Sequence, residues 1–221
     1  MKARPVVAEF LGTGLLAFVV VGSGITVEEL GADGASRLFF HAVAVGLALA
    51  ALISVLASTS GAHFNPAVTL AFWTRRAVTA ATAAGYWIAQ VLGAMGGVAI
   101  GLVSFGEPVA LSANDRTGWG PIIAESIATL VLVLLILGLV IEDRSPAVAP
   151  VAGAWVAAAV FSTVSTGFLN PALTLARMFT DSYTGIAPSN VPGFVIAQLI
   201  GALLAVVLAT HLLLADHKKG T

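Results

Sequence analysis

Asn-Pro-Ala occurs twice, at residues 65–67 and 170–172, each time inside apolar sequence: FNPAVTL at 64–70 and FLNPALTLAR at 168–177. Each triplet reads as a helix start. Asn caps the first backbone N–H groups, and Pro loses nothing at the first helical position, where its missing N–H has no partner anyway. The helices that follow are short. From Pro66 to about Trp73, or from Pro171 to about Phe179, eight or nine residues rise about 12 to 13 Å at 1.5 Å each, half a bilayer. Two such helices entering from opposite faces meet end to end near the midplane, each bringing roughly half a positive elementary charge at its N-terminus. The expected pore centre is Asn65, Pro66, Ala67, Asn170, Pro171 and Ala172. The two Asn side chains supply donors, and the loop carbonyls of Gly61, Ala62, His63, Thr166, Gly167 and Phe168 a ladder of acceptors. Irregular backbone at membrane depth is tolerated only where it is buried in protein or lines a water-filled cavity. A column of neutral molecules passes donors and acceptors in turn, while paired positive helix ends oppose cations, protons included.

The elements that hold these triplets are membrane spans. The 221-residue chain is 58% hydrophobic and 10% charged, which excludes an ordinary soluble domain. A net charge of -1 with scattered Lys and Arg gives no sign of a nucleic-acid partner, and without cysteine there are no disulfides or thiol chemistry. No nucleophile, metal cluster or phosphate loop is present, so neither an enzyme nor a cofactor or metal site is expected. Six segments, near 5–27, 37–57, 80–103, 121–141, 147–165 and 192–215, are long and apolar enough to span. The first lacks a convincing Ala-x-Ala site and is expected to be retained. Six spans put both termini on one side. Lys2, Arg4, Arg75, Arg76, Arg144, Lys218 and Lys219 then share that side against Arg37, Arg116 and Arg177, which makes it the cytoplasmic one.

The two halves, about 1–105 and 119–221, echo each other. AEFLGTGLLAFVV from residue 8 matches AESIATLVLVLLI from residue 124, FNPAVTLAF matches LNPALTLAR, and YWIAQVLGA matches FVIAQLIGA. Three spans per half is an odd number, so the second copy is inverted in the membrane. The expected fold is therefore a single all-α membrane domain of six transmembrane helices plus two half-helices in an inverted repeat.

AEFLGT with Glu9, SGAHFNPAVT, AES with Glu125, the second Asn-Pro-Ala and the paired AQ segments at Gln90 and Gln198 resemble the aquaporin, or major intrinsic protein, family over the whole chain. The resemblance implies a multi-pass protein of the plasma or bacterial inner membrane, four protomers per assembly, and passive permeation of water or small neutral solutes. It also implies that Glu9 and Glu125 accept hydrogen bonds from the half-helix loops; ionisable groups inside spans are otherwise costly, and proton relay is the alternative. His63 is expected to shape the inner vestibule. Gly93, Gly97 and Gly101 are expected to let helices pack closely.

The family's narrow filter has four positions, and its Arg normally follows the second Asn-Pro-Ala directly. Here that position is Leu173, and distance from the motifs assigns Val45, Ala158 and Gly167 to the other three. Aliphatic and small side chains imply a wider opening, without the cation barrier and donor clamp of an Arg. Such a filter, with its NPAxTLAR pattern, resembles a bacterial aquaporin subgroup linked to arsenic and other metalloids. That resemblance points to arsenous acid or methylated arsenicals as solutes, and the wider opening to bulkier neutral molecules such as glycerol and urea beside water. The alternatives are a water-selective pore or, in another class, an ion-coupled secondary transporter, against which stands the lack of intramembrane charge beyond the two glutamates. Arg177 lies one turn, about 5.4 Å, outward of Leu173 on the same helical face. It either stands in the outer mouth as a displaced filter charge or, the preferred expectation, snorkels to headgroups or pairs with Asp181. His41 is expected to cap the start of its span rather than line the outer vestibule.

Overall fold

The structure, a computed structural model, describes residues 3–213. Lys2, Lys218 and Lys219 of the orientation count, and residues 214–215 of the sixth expected span, lie outside the described residues. The helices are α1 Ala3–Glu29, α2 Gly34–Ser60, α3 Pro66–Thr74, α4 Ala80–Ser104, α5 Trp119–Ile141, α6 Val148–Ser162, α7 Pro171–Ala176 and α8 Val191–Leu208. A 3-10 turn, Ser145–Ala147, leads into α6; α7 runs on as a 3-10 turn, Arg177–Phe179; α8 ends in a π turn, Ala209–Leu213. Six of these elements are long and apolar enough to cross a membrane, and α3 and α7 are the two half-helices.

Local chemistry sets the ends. Asp33 and Thr79 cap α2 and α4 through their side chains, and Asn65 and Asn170 cap the half-helices with Pro at the first position. The fifth span stops at Ser162, three residues earlier than the sequence suggests. Its continuation peels away because the Ser165 hydroxyl is drawn 2.6 Å from Glu125 Oε1.

Backbones approach closely where glycines allow it. A Cβ at Gly97 would stand 2.0 Å from the Gly14 carbonyl oxygen, and one at Gly93 would stand 2.2 Å from that of Phe10, so α4 lies directly on α1. Gly201 does the same for α8 on α5, 2.2 Å from the Ser126 oxygen. Gly46 and Gly153 bring α2 against α6 and so join the two halves. Lipid tails are as apolar as the helices, so close packing of small residues, not hydrophobic burial, holds such pairs together. Gly101 is looser, with Val21 3.4 Å away. Outward, Leu47, Ile88 and Ile100 are more than half exposed, as a lipid-facing surface requires.

Gly97→Val should therefore push α1 off α4 and cost about 1–3 kcal/mol or more. Gly96→Ala, one residue away with nothing within 4 Å of its added Cβ, should leave the melting transition in detergent unchanged or raise it slightly. Equal melting temperatures for the two variants would contradict the close-packing role.

Candidate functional site

The loops entering α3 and α7 bend in the same way. Positive φ occurs at Gly61, Ala62 and Phe64 in the first and at Thr166, Gly167 and Leu169 in the second. The non-glycine members cost on the order of 1 kcal/mol or more each and persist only where their surroundings fix them. Two fully buried carboxylates do so. Glu9 Oε1 accepts from Ser60 Oγ at 2.6 Å and the His63 amide at 2.9 Å; its Oε2 accepts from the Phe64 amide at 2.7 Å and Gln90 Nε2 at 2.8 Å. Glu125 repeats the pattern with Ser165 Oγ at 2.6 Å, the Phe168 and Leu169 amides at 2.9 Å each, and Gln198 Nε2 at 2.7 Å. The same glutamine Nε2 atoms donate 2.9 Å onward to Thr69 and Thr174 inside the half-helices. Gln90 and Gln198 thus tie each half-helix to a full span, a role their place in the AQ motif did not reveal.

So held, each Asn serves both halves of the chain. Asn65 Oδ1 accepts the Ala67 amide at 2.8 Å while its Nδ2 donates to the Leu169 carbonyl at 2.8 Å. Asn170 Oδ1 accepts from Ala172 and Leu173, and its Nδ2 donates to the Phe64 carbonyl at 2.8 Å. One N–H of each amide group remains for the cavity. Pro66, Ala67, Pro171 and Ala172 start the half-helices and are buried, but they are not on the cavity wall.

A single cavity of about 330 Å³ runs past the Asn pair. Every fourth residue of α2 from His41 to Ala57 lines it, as do Val148, Ala152, Val156 and Val160 of α6, stripes that follow from 3.6 residues per turn. Ala158 is corrected by this register: half a turn from Val156 and Val160, it is exposed on the outer side of α6. Val45, Gly167 and Leu173 are on the wall, with Gly61, Ala62, His63 and Phe168. Thr166 is not; its hydroxyl turns outward to accept from Arg116 Nη1 at 3.3 Å, so the second loop meets the cavity only from Gly167.

The major intrinsic protein model matches residues 1–161 and 112–220, so both halves are matched in turn. The chain belongs to this family. It is similar to the aquaglyceroporin AqpS of Rhizobium meliloti, 44% identical over 211 residues that cover 95% of this chain and 90% of that one. It is also similar to the aquaporin AqpM of Methanothermobacter marburgensis, 29% identical over 235 residues covering 93% and 96%. The fold superposes on the aquaglyceroporin from Plasmodium falciparum with a TM-score of 0.78 at 22% identity, covering 96% of each chain. As a member of this channel family the protein is not an enzyme.

Within this major intrinsic protein the two mouths differ although the same repeat builds them. On the side of the N-terminus, the His63 ring stacks 4.6 Å from that of Phe72, with Nδ1 3.1 Å from Thr69 Oγ1. At the far mouth the equivalent positions are Phe168 and Arg177, and the Arg177 guanidinium lies 3.4 Å from the centre of the Phe168 ring. Arg177 neither snorkels nor pairs with Asp181. It is 3% exposed, lines the cavity and donates Nε to the Thr184 carbonyl, while Asp181 accepts the Ala113 amide. The loop between Thr180 and Asn190 folds over it and supplies the partner that snorkelling would have found in water. His41 is no cap, for Asp33 fills that place; it is buried two turns inside α2, lines the cavity and sits 2.8 Å from Ser23 Oγ through Nδ1.

Arg116 holds the far loop together, donating to the carbonyls of Gly185, Ser165 and Tyr183. Around it, burial raises the Tyr183 phenol above its ordinary value despite the lowering pull of Arg116, Arg177 and Arg37. Aligning the two halves would have exposed the mouth pair, because His63 and Phe168 stand two before each Asn and Phe72 and Arg177 seven after.

Removing one carboxylate tests the brace. Glu125→Ala strands two amides, a hydroxyl and a glutamine, and hydrogen bonds to a charged group contribute about 1.5–3 kcal/mol each. It should melt far below the wild type in detergent, with Glu125→Gln between the two; wild-type melting of Glu125→Ala would remove Glu125 from this role.

Proposed function

We propose that the protein is a passive channel for small uncharged solutes, water together with bulkier molecules such as glycerol, urea and arsenous acid or methylated arsenicals. The observation that carries this reading is Leu173. It stands on the cavity wall one turn inside Arg177, at the place where the family's resemblance leads one to expect an Arg. With Val45 and Gly167 beside the same cavity, the passage here is walled by aliphatic and small groups, which admit solutes that an aromatic and Arg ring would exclude. Val156 and Val160 take the place first given to Ala158. The similar AqpS carries the name aquaglyceroporin, in keeping with solutes beyond water. Four copies in a bacterial inner membrane, with both termini cytoplasmic, complete the assembly.

The buried glutamates support passive transport over ion coupling. All four of their oxygens are occupied, and neither carboxylate reaches the cavity. Proton exclusion falls to the facing half-helix N-termini and the Asn pair.

Stopped-flow on proteoliposomes tests the filter. Leu173→Arg should keep water permeation and lose most glycerol, urea and arsenous acid permeation. Bulky-solute flux equal to wild type in that variant would sink the assignment of Leu173.

A further inference from the structure

Arg177 is a buried cation whose hydrogen bonding is incomplete. At 3% exposure its Nε is taken by the Thr184 carbonyl and one face by the Phe168 ring. Its two Nη groups, four N–H donors, have no protein partner among the described residues and open to the cavity. Withdrawing a charge from water costs several kcal/mol, of which a ring face returns about 0.5–2. No carboxylate lies within ion-pair distance of Arg177 among the described residues. Among the described residues the one ion pair is Arg144–Glu142, at the opposite face. Glu125 is filled by its four donors, Glu28 accepts the Tyr183 amide at 3.0 Å, and Asp181 accepts that of Ala113 at 2.8 Å.

Two more guanidinium groups share this mouth, neither in an ion pair among the described residues, with Glu28 and Asp115 in the same outer recess. Arg116 lies 4.9 Å from the centre of the Phe168 ring and Arg37 lies 5.4 Å from that of Tyr183. His41 adds a polar edge. Its Nδ1 lies 2.8 Å from Ser23 Oγ, and the ring lines the same cavity as Arg177.

We propose that the far mouth is a binding site for a small planar oxyanion, seated on the Nη fork of Arg177 with the His41 ring on the wall of the same cavity. A carboxylate the size of formate matches the fork with two parallel charge-assisted hydrogen bonds and provides the missing counter-charge. The site is one-sided, because Phe72 occupies the position of Arg177 at the other mouth. An anion held there stands in the path that the preceding subsection assigns to solutes, so its effect on flux rests on that reading while its binding does not.

The test is calorimetric titration of the detergent-solubilised full chain with sodium formate, exchanged against sodium gluconate at constant ionic strength. Wild type should bind saturably. Arg177→Gln should weaken binding at least tenfold, Arg177→Lys, which keeps charge but not the fork, should fall between, and Arg4→Gln at the opposite face should match wild type. Circular dichroism melting checks that each variant is folded. An unchanged affinity in folded Arg177→Gln, or no saturable heat from wild type, would overturn the site. In proteoliposomes with formate on both sides, glycerol flux should slow for wild type and not for Arg177→Gln. Binding that depends on Arg177 but leaves flux untouched would uphold the anion site and overturn the placement of this mouth on the solute path.

Discussion

The hydrogen bonds from loop amides to Glu9 and Glu125 are the constraint on which the rest of the structure depends. Backbone that leaves a helix at membrane depth has no water to satisfy it, and here it also adopts left-handed geometry at Ala62, Phe64, Thr166 and Leu169. A neutral acceptor could take one or two amides; an ionised carboxylate takes four donors at once and binds each more strongly. That capacity turns the peptide planes so that the carbonyls of Phe64 and Leu169 face the partner half, where Asn170 and Asn65 reach them at 2.8 Å. The Asn donors, the half-helix axes and the cavity between them all follow from that orientation.

What could be read in the sequence is what local chemistry determines. Asn followed by Pro specifies a capped helix start regardless of the surroundings, so both half-helix starts are legible, α3 ends one residue past its expected Trp73, and the second reaches Phe179 only by adding a 3-10 turn to α7. Spans are legible because length and apolarity suffice to define them. The face a span turns inward is a different matter in a helix that is apolar all round. α6 offers Val156, Ala157, Ala158, Ala159 and Val160 in a row, and only its contact with α2 through Gly153 decides that Val156 and Val160 look inward and Ala158 outward.

Polar residues near the ends were misleading for a related reason. Arg177 and His41 sit where an interface would be expected, and local rules favour snorkelling and capping there. The loop that carries Thr184 lies over Arg177, and Tyr183 packs edge-on at 5.8 Å from His41, so both side chains are covered by a segment distant in sequence from α2 and silent about its fold. Thr166 fails as a cavity residue on similar grounds, since its hydroxyl is claimed by Arg116 from the long connection before α5.

The inverted repeat explains where the two halves must agree and where they are free to differ. At the centre each half completes the other: Asn65 needs the Leu169 carbonyl and Asn170 needs that of Phe64, so a change in one loop leaves a partner unsatisfied in the opposite one. The glutamate braces feed directly into that exchange and are accordingly the same in both copies. At the mouths no such reciprocity exists. His63 stacks on Phe72 within the first half and Arg177 on Phe168 within the second, neither pair reaching across. One geometry, an aromatic ring against a basic group seven residues after the Asn or two before it, thus survives with its members exchanged. Stacking tolerates the exchange because a flat guanidinium and a flat imidazole can each lie against a ring face. The consequence is a symmetric centre between asymmetric ends, with the guanidinium charge placed at one mouth alone.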